Sequence, residues 1–474
     1  MLHDLNGGPL AAPGRFDVCV IGAGPAGITL AMDLAKKNKR VALCEAGAFE
    51  LTQLSQDNYK GAWVGDPYLE LDAIRLRYFG GTSGHWTGYC RPLDEIDFLR
   101  KDRINPDAHW PIERRDLDPY LADACAVVQV KPPPASRVIA PELGLQEDFF
   151  SFSRPPVRFG DKYRKPIVAS KTITLLLNAN LVGVEAKDGR ITSCIFQSYN
   201  QKNQSIVADK YVFAMGGIEN SRQLLWHAAR SPGNICSPEA PLGRYWMDHP
   251  HYTIGGALVS FKAPAARRFF GLTPQKQMQL GVLNCGLRLE PASQDHTQRM
   301  IKELVCVAPA LGEWAASLAH RSMNCGIRIR AAWEAAPVFD NRVALSPSRK
   351  DRFGIPAPTL YWRHAPLDLK TLRATALQFN AWLTSRKLGR LRLEPWVLGR
   401  GGYPSQDELG GPHLMGGTRM ADNPREGVVD RNCQVFGSKN LFMAGSSVFS
   451  SSGHSNPTLT ILQLALRLSD HLTA

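Results

Sequence analysis

FDVCVIGAGPAGITLAMDLAKKNKRVALCEAG, residues 16–47, decides the fold of this chain. Residues 16–21 form a short apolar run that ends at glycines, the pattern of a strand buried in a parallel sheet. GAGPAG follows. Gly22 permits a tight turn, Gly24 lets backbone approach a pyrophosphate, and Gly27 allows close packing of a helix on the strand. Pro25 and Ala26 lie in the same turn, and ITLAMDLAKKNK reads as a helix whose positive N-terminal end favours a phosphate. RVALCEAG is a second apolar strand. It ends at Glu45 and Ala46, about 20 residues past the first glycine, where an acidic side chain hydrogen-bonds a ribose. GxGxxG alone is a weak signal. With a strand before it, a helix after it and an acid closing the next strand, it specifies a dinucleotide site. The alternative is a glycine-rich turn without a ligand. The placement at the start of a long chain points to FAD over NAD.

The 474 residues exceed one ordinary core, so one large domain or two closely joined domains are expected. Hydrophobic residues at 44% and charged residues at 21% match a soluble globular enzyme. No apolar run approaches the length of a spanning helix, so no membrane span is expected. MLHDLNGGPLAAPGRFD has neither a basic n-region nor an apolar h-region and reads as a short flexible leader, which argues for a cytoplasmic protein. Ten cysteines are scattered without a CxxC pair, so neither a disulfide framework nor a metal site is expected. No CxxCH motif marks a haem, so any haem belongs to another subunit. The net charge is +13, but the basic residues are dispersed and RRSPGN, APAARR and SRKDR are only short clusters. The plain reading is an Arg-rich soluble surface. The sharper ones are an anionic substrate or a weak pull towards acidic membranes or nucleic acid; a nucleic-acid partner is not expected.

RYFGGTSGHWTGYCRPLD, residues 77–94, suits a loop whose backbone approaches a flat ring system. Gly80 and Gly81 supply the freedom, and Ser83, His85 and Trp86 the candidate contacts. His85 reads as a hydrogen-bonded loop histidine or as a flavin contact. From 166 to 215 the pattern is a strand, then a meander that contains Val184 and turns at DGR and NQKNQ, then a returning strand, YVFAM. That strand ends at Gly216 and Gly217, before a helix that carries Asn220; Val184, Gly216, Gly217 and Asn220 are candidate cofactor contacts. LGRYWMDHPH, 242–251, is a compact polar and aromatic turn. From 252 to about 400, strand-like stretches (YTIGGALVSF, GLRL, NCGIRIRAAWEA with Trp333, RVALS, PTLYWRH) alternate with helices at 296–323 and DLKTLRATALQFNAWLTSR. This is the pattern of an α+β layer roofing a substrate site, with Trp333 a candidate for the pocket lining.

The C-terminal stretch carries the chemistry. His413 opens HLMGGTRM. VVDRNCQVFGSKNLFMAG reads as two short strands, the second ending at Gly445 and Ser446. In SNPTLTILQLALRL, Asn456 is a favoured N-cap and Pro457 a favoured first helical residue before Thr458. The helix from 458 to 472 is apolar almost all round and should be buried. Its positive end suits the N1/C2=O region of a reduced flavin. His454, two residues before Asn456, reads as a pocket residue or as a cap on the turn.

FDVCVIGAGPAG, RYFGGTSGHWTGYCRPLD, FAMGGIENSRQLL, LGRYWMDHP, HLMGGTRM, VVDRNCQVFGSKNLFMAGSSVF and SNPTLT together resemble the glucose–methanol–choline (GMC) flavoprotein oxidoreductases, in a short bacterial form with pyranose-oxidase-like motifs. The resemblance spans nearly the whole chain and is weakest in the central roof. It implies an α/β Rossmann-like FAD-binding domain built from discontinuous segments (15–130, 155–250 and 401–474). The substrate-binding domain, 251–400, would be α+β with a mostly antiparallel sheet. It also implies oxidation of a sugar, glycoside or polyol alcohol by hydride transfer to flavin N5, with His413 as base and Asn456 as its partner. His85 matches the position that is joined to the flavin in pyranose oxidases; here FAD is expected to be held without a bond, with covalent attachment through His85 as the alternative. The electron acceptor, including an electron-transfer or small partner subunit, is open. The competing functions are oxidation of a non-sugar alcohol such as a sterol or natural-product intermediate, and flavin binding without redox turnover.

Overall fold

The fold is described from a computed structural model that covers residues 1–11, 14–231, 233–259, 268–291, 324–404 and 412–474. The helix expected at 296–323 lies outside the described residues.

The fingerprint strand, Arg15–Ile21, sits at the centre of an eight-stranded sheet. Its parallel neighbours are Val41–Cys44 on one side and the C-terminal half of Asn203–Phe213 on the other. Ile173–Leu177 and Leu2–Asp4 extend the parallel array beyond Val41–Cys44. Within the stretch expected to be a flexible leader, Leu2–Asp4 is therefore an edge strand; the Met1 ammonium is also bonded to the Ile173 carbonyl at 2.7 Å. On its other edge Asn203–Phe213 serves two more partners. Its first half pairs antiparallel with Arg190–Gln197 of the meander, and its second half pairs parallel with Leu441–Met443. The strand expected before Leu441–Met443 is reduced to isolated bridges of Val429 with Met420 and Val435.

The apolar runs read from the sequence bury on both faces of this sheet, as parallel strands must. Helix Pro25–Lys36 packs on it and against the C-terminal helix Thr458–Thr473, whose apolar circumference explains its burial.

The second layer is a seven-stranded antiparallel sheet in the order 389–393, 251–259, 324–333, 285–291, 268–272, 145–148, 137–140. Two of its strands, Arg137–Ala140 and Leu145–Asp148, come from between the segments read as FAD-binding. Helix Pro366–Ser385 covers one face, where Leu372, Phe379 and Leu383 meet Phe270, Leu287, Ile329 and Trp333. Strand alternation sends the intervening side chains to the opposite face, over the nucleotide domain. Among the described residues, no helix is long and apolar enough to cross a membrane.

Candidate active site

A cavity of about 550 Å³ runs between the two layers. The first strand–turn–helix contributes Gly22, Gly24, Pro25 and Ala26, and the second strand Glu45 and Ala46. The Glu45 carboxylate accepts Ala23 N–H at 2.9 Å and Gly47 N–H at 2.8 Å, which holds it at the cavity edge. Two glycines leave space open for a ligand. A Cβ on Gly24 or on Gly216 would meet no protein atom within 4 Å. Gly216 (φ +91°) and Gly217 bring the second turn to the cavity, and Gly445 and Ser446 bring a third. A cradle of bare backbone at a helix N-terminus, with a carboxylate beside it, fits the pyrophosphate and ribose of FAD.

Several expected contacts fall elsewhere, each for a physical reason. Gly27 packs the helix on the strand: a Cβ there would lie 1.9 Å from the Gly22 carbonyl. Gly80 backs onto Gly160, where a Cβ would come within 2.3 Å, while Gly81 borders the cavity. Val184 pairs with Cys194 in the meander, past a bulge, and Leu181 lines the cavity instead. Asn220 is a clamp behind the wall. Its Oδ1 accepts Met215 N–H at 2.8 Å, and its Nδ2 donates to Ala444 O at 3.0 Å and Ser447 Oγ at 2.8 Å, so it ties two cavity turns together. Trp333 faces the helix side of its strand; its neighbour Ala332, with Arg330, faces the cavity. Residues missed in the sequence include Tyr59, Arg75, Arg77 and Gln223, which line the nucleotide end.

The loop 77–94 lies along the cavity as expected. Ser83, His85 and Trp86 line it. Trp86 Nε1 donates to Val157 O at 2.8 Å, and Arg158 holds the carbonyls of Ser83 and Trp86 at 2.9 and 2.7 Å. Burial, followed by the Arg158 charge, lowers the His85 pKa.

His413 and Asn456 meet at the far end. Asn456 Nδ2 lies 3.0 Å from His413 Nε2. Helix Thr458–Thr473 begins after Pro457, and Asn456 makes no capping bond to it. The expected N-cap role is thereby corrected: the amide is turned to His413. Pro457 and Thr458 line the cavity. The His413 segment is fixed from two sides. Met415 exchanges backbone hydrogen bonds with Met247, and Gly416 N–H donates to Ser446 O at 3.0 Å.

Behind His413 stands His249, which the sequence reading passed over within LGRYWMDHPH. The two Nδ1 atoms are 2.8 Å apart, and His249 Nε2 is 3.0 Å from Ser452 O. A carbonyl only accepts, so His249 carries its proton on Nε2 and leaves Nδ1 as an acceptor. His413 must then carry its proton on Nδ1. That leaves a lone pair on Nε2, where Asn456 Nδ2–H donates. Burial pushes the His249 pKa down to about 4. Burial first, then the imidazoles of His249 and His251, hold His413 well below the usual histidine range. Both rings are neutral at ordinary pH, as this assignment requires. Asp248 Oδ1 accepts the backbone N–H of His413 and of His249, and its Oδ2 accepts Tyr68 Oη–H.

His454 is in the cavity wall and caps nothing. It is buried, its Nε2 lies 3.5 Å from Asp148 Oδ2, and burial pushes its pKa down to about 4. The roof adds His251, Arg288, Glu290, Arg330 and Ala332, and Tyr89, Phe150 and Phe269 form an aromatic wall.

Fold and cavity are those of a dinucleotide-binding protein. The family described as GMC oxidoreductase matches residues 337–465, and an FAD binding domain matches residues 17–55. The chain is 33% identical to 6'''-hydroxyparomomycin C oxidase of Streptomyces lividus, over 98% of this chain and 93% of that one. It is 28% identical to the fructose dehydrogenase large subunit of Gluconobacter japonicus, over 59% of this chain and half of that one. In fold it is similar to the crystal structure of pyridoxine 4-oxidase from Mesorbium loti, with a TM-score of 0.58, 15% identity, and 96% and 99% of the two chains covered. The chain belongs to the GMC oxidoreductases, and it is an FAD-dependent alcohol oxidoreductase.

Proposed function

We propose that the protein oxidises a hydroxyl of a sugar, glycoside or polyol, with His413 as the base and Asn456 as its partner. The observation that carries this reading is the hydrogen-bond chain from Ser452 O through His249 and His413 to Asn456. It leaves one basic lone pair, on His413 Nε2, at the cavity side. A substrate hydroxyl placed there gives its proton to Nε2, and Asn456 Nδ2–H donates to the same oxygen. The imidazolium that forms keeps its Nδ1–H on His249. Base assistance of this kind contributes about 10²–10⁴-fold. Bound FAD supplies the acceptor for the hydride that leaves the carbinol carbon. The names of the two relatives above, one a sugar dehydrogenase and one a hydroxyparomomycin oxidase, support a carbohydrate substrate.

The nucleotide-binding part of this reading comprises 15–130, 155–250 and 401–474, and the substrate-binding part 251–400 together with the strands at 137–148. His85 borders the flavin without bonding to it. Anaerobic titration of the holoenzyme with hexoses, glycosides and polyols tests the substrate class: at least one should bleach the flavin, and failure of the entire panel would sink the reading.

A further inference from the structure

We propose that the aromatic wall is an aglycone subsite: the substrate is a glycoside whose aglycone is a flat aromatic ring, packed on Phe150 while the sugar hydroxyl faces His413. The inference rests on the carbohydrate reading above and names the group that the sugar carries.

Three rings build the wall, and all three border the cavity. Phe150 and Phe269 have centroids 4.3 Å apart and planes tilted by 36°. Tyr89 meets each of them edge-on, with centroids 6.2 Å away. Tyr89 and Phe269 are buried, so the half-buried Phe150 is the ring that offers surface to the cavity. It is held from behind: Arg91 Nη1 donates to Phe149 O at 3.1 Å, and the Arg91 guanidinium lies 5.8 Å from the Phe150 centroid. A rigid cluster of this kind accepts one more flat ring, offset-stacked or edge-on, without having to order itself first.

The polar groups beside the rings are engaged with one another. Arg288 Nη1 donates to Tyr89 Oη at 3.2 Å, and its Nη2 lies 2.6 Å from Glu290 Oε1. Asp148, the register partner of Phe269, accepts Ser136 Oγ at 2.7 Å and Gln146 Nε2 at 2.9 Å. A second sugar ring placed against this wall would exchange water for groups that are already bonded, whereas an aromatic ring gives up no hydrogen bond.

The spacing also fits. Phe269 pairs with Arg288, two residues along the strand from Gly286 and on the same face. Gly286 stands against the catalytic end: a Cβ there would be 3.2 Å from His454 Cδ2. Two residues along a strand span about 6.6 Å. Phe150 is set back equally, with its centroid 6.3 Å from that of the His454 ring. His454 precedes Asn456 by two residues. The wall thus begins roughly one sugar ring away from the catalytic end.

The test is anaerobic flavin reduction in the holoenzyme by phenyl, cyclohexyl and methyl glycosides of glucose and galactose, in both anomers, and by cellobiose and maltose. Alongside it, binding of benzamide, which has no alcohol to oxidise, is followed by the flavin difference spectrum. The best phenyl glycoside should half-saturate at a concentration roughly 10- to 100-fold below that of its methyl counterpart, with the cyclohexyl glycoside between them. Phe150→Ala should bring the phenyl-to-methyl ratio close to one and abolish benzamide binding. Phe150→Tyr should restore both, which separates loss of the ring from misfolding. A methyl glycoside or disaccharide that half-saturates at or below the phenyl glycoside overturns the proposal, as does a cyclohexyl glycoside that equals it. An unaltered ratio in Phe150→Ala, or benzamide that fails to bind, does the same. If no glycoside bleaches the flavin while benzamide binds the native protein and not Phe150→Ala, the aromatic subsite stands and the carbohydrate reading falls.

Discussion

Replacing His249 separates the tautomer of His413 from its mere presence. In the native site His249 Nδ1 accepts the proton of His413 Nδ1 at 2.8 Å. His249→Leu fills most of the space, keeps water out and offers no acceptor. A buried donor left unsatisfied costs about 1–3 kcal/mol. His413 can escape that cost by moving its proton to Nε2, which faces Asn456 and the substrate oxygen. The basic lone pair is then turned away from the cavity. At about 1.4 kcal/mol per tenfold, the competent tautomer falls by roughly 5- to 100-fold, and the rate constant for flavin reduction should fall with it. His249→Asn places an oxygen where Nδ1 stood and should keep most of the rate. Both variants lose the hydrogen bond to Ser452 O, so both should lose similar stability. The assay is anaerobic stopped-flow reduction at saturating substrate, with flavin content and melting temperature measured on the same preparations. Equal rates for the Leu and Asn variants would refute the tautomer argument, however large the loss.

Three further outcomes follow from the same geometry. Gly24→Ala has room in the folded chain and allowed backbone (φ −84°), yet its methyl enters the cradle. It should give a folded protein with reduced flavin content, whereas Gly27→Ala, 1.9 Å from the Gly22 carbonyl, should fail to accumulate in soluble form; flavin absorbance per protein distinguishes them. His227 is buried and its pKa pushed down to about 3, chiefly by burial. Above pH 6.5 both folded and unfolded chains hold it neutral; as pH falls below that, only the unfolded chain takes the proton, so stability is lost. His227→Leu should therefore gain on the native protein by on the order of 2 kcal/mol between about pH 7 and 4.5, read from urea midpoints. Acid precipitation should release the yellow flavin into the supernatant; flavin retained on the pellet would place a bond at His85.

Local sequence carried the nucleotide domain well, because each part of its signal lies within about 30 residues: strand, glycines, helix and Glu45. The C-terminal helix was equally legible from its apolar circumference. What the sequence hid depends on distant pairing. His249 and His413 are 164 positions apart, and no spacing rule connects them. Which side of the 324–333 strand meets the cavity required the register, so Trp333 was read as lining when Arg330 and Ala332 do so. Asn456 illustrates competition between two good local roles. An Asn before Pro is a strong cap signal, but its amide is engaged by a histidine from another segment, and the helix starts two residues later. Leu2–Asp4 looked like a leader because three residues carry too little pattern to show a strand; the open edge of Ile173–Leu177 supplies the pairing.

The central claim is that His413 takes the hydroxyl proton. The direct measurement is the rate of anaerobic flavin bleaching by the best carbohydrate, compared between the native holoenzyme and His413→Ala with matched flavin content. Loss of the base should slow bleaching by about 10²–10⁴-fold while the flavin stays bound. Bleaching at the native rate would contradict the account.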